Sequence, residues 1–299
     1  MDRKGYIIDI QNFSVNDGDG IRTVIFFAGC RLRCQWCSNP ESFTNFNKVI
    51  YSPSRCIQCG RCKEICPYDC GIDLNLAENR KKCTGCGKCV PVCPVGSRQN
   101  MIFSYTAKEI MDKIHSQRIF FRNSNGGITY SGGEATLQVD FLSALVDSCY
   151  DRAIHQAMET SGYFDFIKVE GILRKLDLVF MDIKHMDSGR HKYYTGVRNE
   201  LILEKIKKVS MLPVEVVIRI PTIVNVNADM ENILETARFV ANNVPNPKIE
   251  LLPYHIFGEY KYEALAIRQP NKNFLTPTEQ NLDELKYIIE NEGVEVVSY

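Results

Sequence analysis

Apolar positions along this chain follow two rhythms. Short apolar runs such as Thr23-Val24-Ile25-Phe26-Phe27 end abruptly at small or polar residues, which predicts buried strands. Beyond residue 99, β-rich runs end near Tyr130, Met158, Met181, Ile220 and Pro253, with helix-period segments between them. Phe141, Leu142, Leu145, Val146 and Cys149 share one face of such a segment, and Met230, Ile233, Leu234, Ala237 and Val240 share another. A last helix is predicted to open at Thr276-Pro277-Thr278-Glu279, a capping box with proline at the first helical position. It should bury Leu282, Leu285, Ile288 and Ile289 and stop at Gly293. Strands alternating with crossover-length helices predict an α/β fold with a parallel sheet. Six such strands, counting the one before Cys30, are too few for a standard eight-fold barrel, so a partial barrel and an open sheet both fit.

The alternation breaks between residues 53 and 98, which divides the chain into a larger unit, 1–52 with 99–299, and an insertion, 53–98. The insertion is cysteine-rich and has little room for a hydrophobic core. It is also an internal repeat. Cys56-Ile57-Gln58-Cys59-Gly60-Arg61-Cys62, leading to Cys66-Pro67, recurs as Cys83-Thr84-Gly85-Cys86-Gly87-Lys88-Cys89, leading to Cys93-Pro94.

Whole-chain composition is that of an ordinary globular protein, 44% hydrophobic and 24% charged over 299 residues. Lys+Arg and Asp+Glu both number 36, and a net charge of zero argues against a nucleic-acid or polybasic membrane binder. The longest uncharged apolar stretch, near Val24 to Cys30, is too short to span a bilayer. Met1-Asp2-Arg3-Lys4-Gly5 leads into no signal-peptide core. Of thirteen cysteines, twelve lie between Cys30 and Cys93, clustered as metal ligands are rather than spread like a disulfide framework. A reducing cytoplasm is the expected location.

Cysteines at gaps of two, two and three followed by proline form the bacterial ferredoxin run, in which the fourth cysteine of each run ligates the other cluster. On that rule Cys56, Cys59, Cys62 and Cys93 hold one 4Fe–4S cluster, and Cys83, Cys86, Cys89 and Cys66 hold another. Structural zinc is the alternative. Eight Lys/Arg against four Asp/Glu between Arg55 and Arg98 offset two clusters of about −2 each. Cys70 is an alternative ligand to Cys66, which is preferred because Pro67 follows it. Cys149, on an apolar helix face, reads as core. Cys30-Arg31-Leu32-Arg33-Cys34-Gln35-Trp36-Cys37 has gaps of three and two and no fourth cysteine nearby. Three thiolates on a four-iron cluster leave one iron open to substrate, unless a remote fourth ligand closes the site.

This three-cysteine motif resembles that of radical S-adenosylmethionine (SAM) enzymes. Asp17-Gly18-Asp19-Gly20-Ile21-Arg22-Thr23, Ser38-Asn39-Pro40-Glu41-Ser42, Ser124 to Glu134, Met181-Asp182-Ile183-Lys184 and Leu251-Leu252-Pro253-Tyr254-His255 further resemble the glycyl-radical-enzyme activating enzymes. That group contains pyruvate formate-lyase activase, and the likeness is to its larger members with a two-cluster, ferredoxin-like insertion. Two positions depart from the family pattern, Asp19 and Ala135, where proline is usual or common.

The resemblance implies a partial (β/α)6 TIM-like barrel with functional residues at the strand ends. It implies three 4Fe–4S clusters, the first on Cys30, Cys34 and Cys37, and SAM as co-substrate. Gly132 and Gly133 would admit the SAM amine, and Trp36 would pack near the adenine, with Ser38 beside it. Glu159, Asp182 and Lys184 would meet the sulfonium, methionine or ribose groups, and His255 the ribose or adenine. Arg219 would face the substrate peptide or the SAM carboxylate. The implied reaction is reductive cleavage of SAM to a 5′-deoxyadenosyl radical that takes hydrogen from a glycine of a partner glycyl radical enzyme. Flavodoxin or ferredoxin is the expected electron donor, and a monomer the expected state. A radical SAM enzyme acting on a small molecule, or a plain electron-transfer iron–sulfur protein, are the alternatives.

Overall fold

The computed structural model describes residues 3–268 and 273–299, so Met1 and Asp2 of the N-terminal run lie outside it. Eleven strands form among the described residues: β1 (Lys4–Ser14), β2 (Arg22–Phe27), β3 (Val49–Tyr51), β4 (Arg98–Asn100), β5 (Phe103–Thr106), β6 (Gly127–Gly132), β7 (His155–Thr160), β8 (Leu178–Asp182), β9 (Glu215–Thr222), β10 (Lys248–Pro253) and β11 (Glu295–Val296). Nine of them build one sheet in the order β11-β10-β9-β8-β7-β6-β2-β1-β5. From β2 through β6 to β11 every neighbouring pair is parallel, while β1 runs antiparallel to both β2 and β5. The six sequence-predicted strands are β2 and β6 to β10.

Period-two alternation sorts their side chains. Met158, Val179, Met181, Val216, Ile218, Ile220 and Ile249 face the main core, where Phe141, Leu142, Leu145, Val146 and Cys149 of the helix Val139–Tyr150 meet them. The intervening residues Ala157, Leu178, Phe180 and Val217 face the other side, where Val297 and Tyr299 close over them. Glu159, Asp182, Arg219 and Glu250 are in step with this second set. Four charged residues on one sheet face, Glu159 and Asp182 at the strand C-terminal ends and Arg219 and Glu250 mid-strand, are thus a consequence of register.

Two sequence expectations need correction. The last helix spans Glu279–Asn291 with Thr278 as N-cap and Asn281 completing the capping box, so Pro277 precedes the cap. The Thr276 hydroxyl instead donates to the Tyr254 carbonyl at 2.9 Å, and that tertiary bond removes it from the helix start. Met230 is exposed, because it opens the helix Met230–Asn243 directly after the Asp229 cap, while Ile233, Ala237 and Val240 are buried.

The cysteine-rich segment leaves the sheet after β2 and returns before β5. β3 and β4 pair antiparallel at its base, with Tyr51 opposite Arg98. Its two helices, Arg61–Glu64 and Ala77–Lys82, bury no residue, and its core consists of Val49, Tyr51, Cys70 and Leu74. Among the described residues no helix is long and apolar enough to cross a membrane.

Candidate active site

A cavity of about 390 Å³ opens at the C-terminal ends of the parallel strands. Cys30, Cys34 and Cys37 line one wall, on the loop that follows β2. Backbone bonds from Arg33 to Thr195 (2.8 Å), Gln35 to Tyr194 (3.0 Å) and Cys37 to Cys34 (3.2 Å) fix that loop. The Arg33 guanidinium donates to the carbonyls of Cys30, Leu32 and Phe43, stapling the loop from within. Burial pushes the Cys30 thiol up to about 12 and raises Cys34 and Cys37 as well. Such thiols ionise when a metal supplies positive charge. Three of them on one short loop beside the cavity would hold a 4Fe–4S cluster through three thiolates.

Charge of both signs also lines the cavity. Asp182, the last residue of β8, accepts from Lys184 Nζ at 2.7 Å. Lys184 is 8% exposed. Burial pulls its ammonium down, but Asp182 and the thiols Cys34 and Cys30 outweigh that and hold it above the ordinary lysine value. Glu159, one residue from the end of β7, accepts from Ser131 and Arg219. Burial raises its carboxyl against the pull of Arg219. A lining with two carboxylates and an ammonium matches a zwitterionic ligand.

Arg219, expected to face the substrate peptide or the SAM carboxylate, lines the cavity. It lies mid-strand in β9 and is 4% exposed, with its donors on Glu159, Glu250 and the Asn16 carbonyl. Its guanidinium stacks 3.5 Å from the Phe180 ring centroid. Its bond to Glu159 anchors that carboxylate at the cavity. Glu250, which sequence reasoning missed, completes this arrangement. Its signal was a lone acid in the apolar run Ile249-Glu250-Leu251-Leu252.

Gly132 and Gly133 line the cavity, but their own chain already demands glycine. A Cβ on Gly132 (φ 102°) would sit 2.3 Å from Phe27 N, and one on Gly133 would sit 2.2 Å from the Gly29 carbonyl oxygen. The close approach is to the end of β2, whatever ligand binds. Glu134 is buried behind them and accepts from Thr136, Thr160 and Ser161, tying the loop after β6 to that after β7.

Trp36 lines the cavity from a buried aromatic group with Tyr194, Tyr254 and Phe274. Ser38 lines it beside Cys37. His255 stands exposed at the rim after β10, stacked 4.8 Å from Phe257, so it is no core histidine. Asn39 and Ser42 reach the cavity, whereas Glu41 is buried and pairs with Lys261 at 2.6 Å.

In the inserted segment, Cys56, Cys59, Cys62 and Cys93 line one small cavity. Cys66, Cys83, Cys86 and Cys89 line a second, together with Cys62 and Cys70. The fourth cysteine of each run therefore lies with the first three of the other. Two four-thiol sets fit two cubane clusters by number and donor type. Cys70 is buried within hydrogen-bond reach of Cys66 and Cys83. Cys149 is in the main core, 3.6 Å from Met111 Sδ.

Comparison with known proteins places the whole chain. The model of the radical SAM superfamily matches residues 24–237. The chain is 38% identical over 289 residues to the trans-4-hydroxy-L-proline dehydratase activating enzyme of Clostridioides difficile, covering 95% of each. It is 38% identical to the (2S)-3-sulfopropanediol dehydratase activating enzyme of Klebsiella oxytoca, over 90% of this chain and 88% of that one. A radical SAM methyltransferase from Sphaerobacter thermophilus shares the fold at a TM-score of 0.56 and 11% identity, over 97% of this chain and 76% of its own. With the cysteine triad and the charged residues in one cavity, and relatives of this similarity over 90% or more of its length, the chain belongs to the radical SAM superfamily and, within it, to the activating enzymes of glycyl radical enzymes.

Proposed function

We propose that this protein cleaves SAM reductively and takes one hydrogen from a glycine of a partner glycyl radical enzyme. The observation that carries the reading is the shared cavity of Cys30, Cys34 and Cys37 with Glu159, Asp182 and Lys184. Cys30, Cys34 and Cys37 would hold the SAM-binding 4Fe–4S cluster. Cys56, Cys59, Cys62 and Cys93 would hold a second cluster, and Cys83, Cys86, Cys89 and Cys66 a third. When bound, the first cluster supplies the electron that splits SAM into methionine and a 5′-deoxyadenosyl radical, and the other two supply low-potential electron storage.

The protein's own residues bind, orient and exclude water. Lys184 keeps donors beyond its bond to Asp182 and suits the methionine carboxylate. Glu159 and Asp182 suit the ammonium and the sulfonium. Arg219 and Glu250 hold Glu159 in place, so its carboxylate does not reorganise as the ligand enters. Trp36 offers an apolar face to the adenine, and His255 a ring nitrogen to the ribose or adenine. The segment 53–98 acts as a ferredoxin-like unit inserted in a partial (β/α)6 barrel formed by 1–52 and 99–299. A flavodoxin or ferredoxin supplies electrons to a cytoplasmic monomer.

A partner whose glycine carries deuterium at the α-carbon tests the reading. Deuterium is expected in 5′-deoxyadenosine. Active SAM cleavage with bound partner and no deuterium transfer would instead favour a small-molecule substrate.

A further inference from the structure

Arg98, on β4, is the one residue besides Cys62 that lines both cysteine cavities of the inserted segment among the described residues. It is 3% exposed, an unusual burial for a cation at the edge of a small core. One arm of the guanidinium lies 3.9 Å from Cys89 Sγ, and Cys62 is also within its hydrogen-bond reach. Cys62 belongs to the set with Cys56, Cys59 and Cys93, and Cys89 to the set with Cys83, Cys86 and Cys66. The other arm donates to the carbonyls of Gly71 and Ile72, and the plane lies 5.3 Å from the Tyr51 ring centroid. The cation is therefore fixed between the two sets, with no freedom to swing to either.

We propose that Arg98 is a positioning residue that sets the reduction potentials of both auxiliary clusters together. The inference rests on the reading of residues 53–98 as a two-cluster unit. Each cluster gains one electron on reduction, from an oxidised to a one-electron-reduced state, and Arg98 exchanges no proton. A cation buried beside both ligand sets stabilises the more negative, reduced form of each. Because it touches one sulfur of each set, it raises the two potentials in parallel and keeps them close. An electron can then reside on either cluster at similar cost.

The test is an electron-paramagnetic-resonance redox titration of the anaerobically reconstituted full chain, with iron counted on the same samples. Parent protein should hold about twelve iron atoms. In Arg98→Gln, the ratio of reduced to oxidised form at fixed solution potential should fall at least tenfold for both auxiliary clusters. That is a shift of about 59 mV or more to the negative, with the Cys30/Cys34/Cys37 cluster unmoved. Unmoved auxiliary midpoints at full iron content, or a shift in one cluster alone, overturn the proposal. Parent protein with about four iron atoms would overturn the two-cluster reading itself. If Arg98→Gln loses iron, Arg98→Lys decides, since its single nitrogen can reach only one of the two sulfurs. One midpoint should then fall and the other stay, and parental values for both would overturn the proposal.

Discussion

Arg219 Nε donates to Glu250 Oε2 at 2.6 Å, and both side chains are about 5% exposed. Tyr299 N donates to the other Glu250 oxygen at 2.9 Å, and Arg219 passes the connection on to Glu159 at the cavity. A buried chain of bonds thus runs from the end of the described chain to the site. Removing one partner of a buried ion pair leaves the other charge uncompensated. Glu250→Ala should therefore destabilise the fold by about 3 kcal/mol or more. Glu250→Gln should cost less and raise the SAM KM more than it lowers kcat, because Glu159 loses its fixed position. Thermal melts and 5′-deoxyadenosine assays check both, and an unchanged KM with intact fold would remove the anchoring role.

Gly132→Ala tests what the glycine pair is for. Its Cβ would overlap β2 backbone at a φ of 102°, so the variant should lose about 2 kcal/mol in the absence of any ligand. If glycine served only to admit SAM, the melt of the ligand-free protein would be unchanged and only SAM turnover would fall.

Some of this was legible in the sequence and some was not. The six parallel strands were readable because each rests on a local period, and the clustering of the cysteines along the chain because it is a matter of spacing. Glu250 was not, because a single acid in an apolar strand does not name the arginine 31 positions away that neutralises it. Arg219 itself was noticed, but its buried partners come from two other strands, which no local spacing reveals. The start of the last helix was ambiguous because Thr276 and Thr278 each stand three residues before a side chain able to complete a capping box. Only the bond from Thr276 to Tyr254 decides between them.

Cys66 provides a test of ligand crossing. It lies in the cavity of Cys83, Cys86 and Cys89, although its own run continues from Cys62. Cys66→Ala should perturb the spectrum and potential of the cluster on Cys83, Cys86 and Cys89, and leave that on Cys56, Cys59 and Cys62 close to parental. Loss confined to the latter would mean local ligation. Cys70→Ala in the same assay should keep both clusters, since the four thiols of each set remain.

Two buried histidines give the fold a pH dependence. Burial is the first cause that holds His185 and His191 below the ordinary value of about 6.5. Their Nε2 atoms are buried without a hydrogen-bond partner, while Nδ1 of His191 lies 2.6 Å from the Val197 carbonyl and Nδ1 of His185 accepts from Asp187 N. A second ring proton would place charge where nothing receives it. The unfolded chain therefore binds more protons than the folded one just below pH 6.5. Their contribution to stability is complete above about 6.5 and declines as pH falls toward the depressed folded values. Glu159, whose carboxyl burial pushes up, works in the opposite sense, so the informative quantity is a difference between parent and variant. His191→Asn keeps a donor for the Val197 carbonyl and removes the titration. The Tm of ligand-free parent should drop more steeply between pH 6.5 and 5 than that of His191→Asn. Equal slopes would mean that His191 is not protonated on unfolding in this range, and that burial of the ring carries no pH cost.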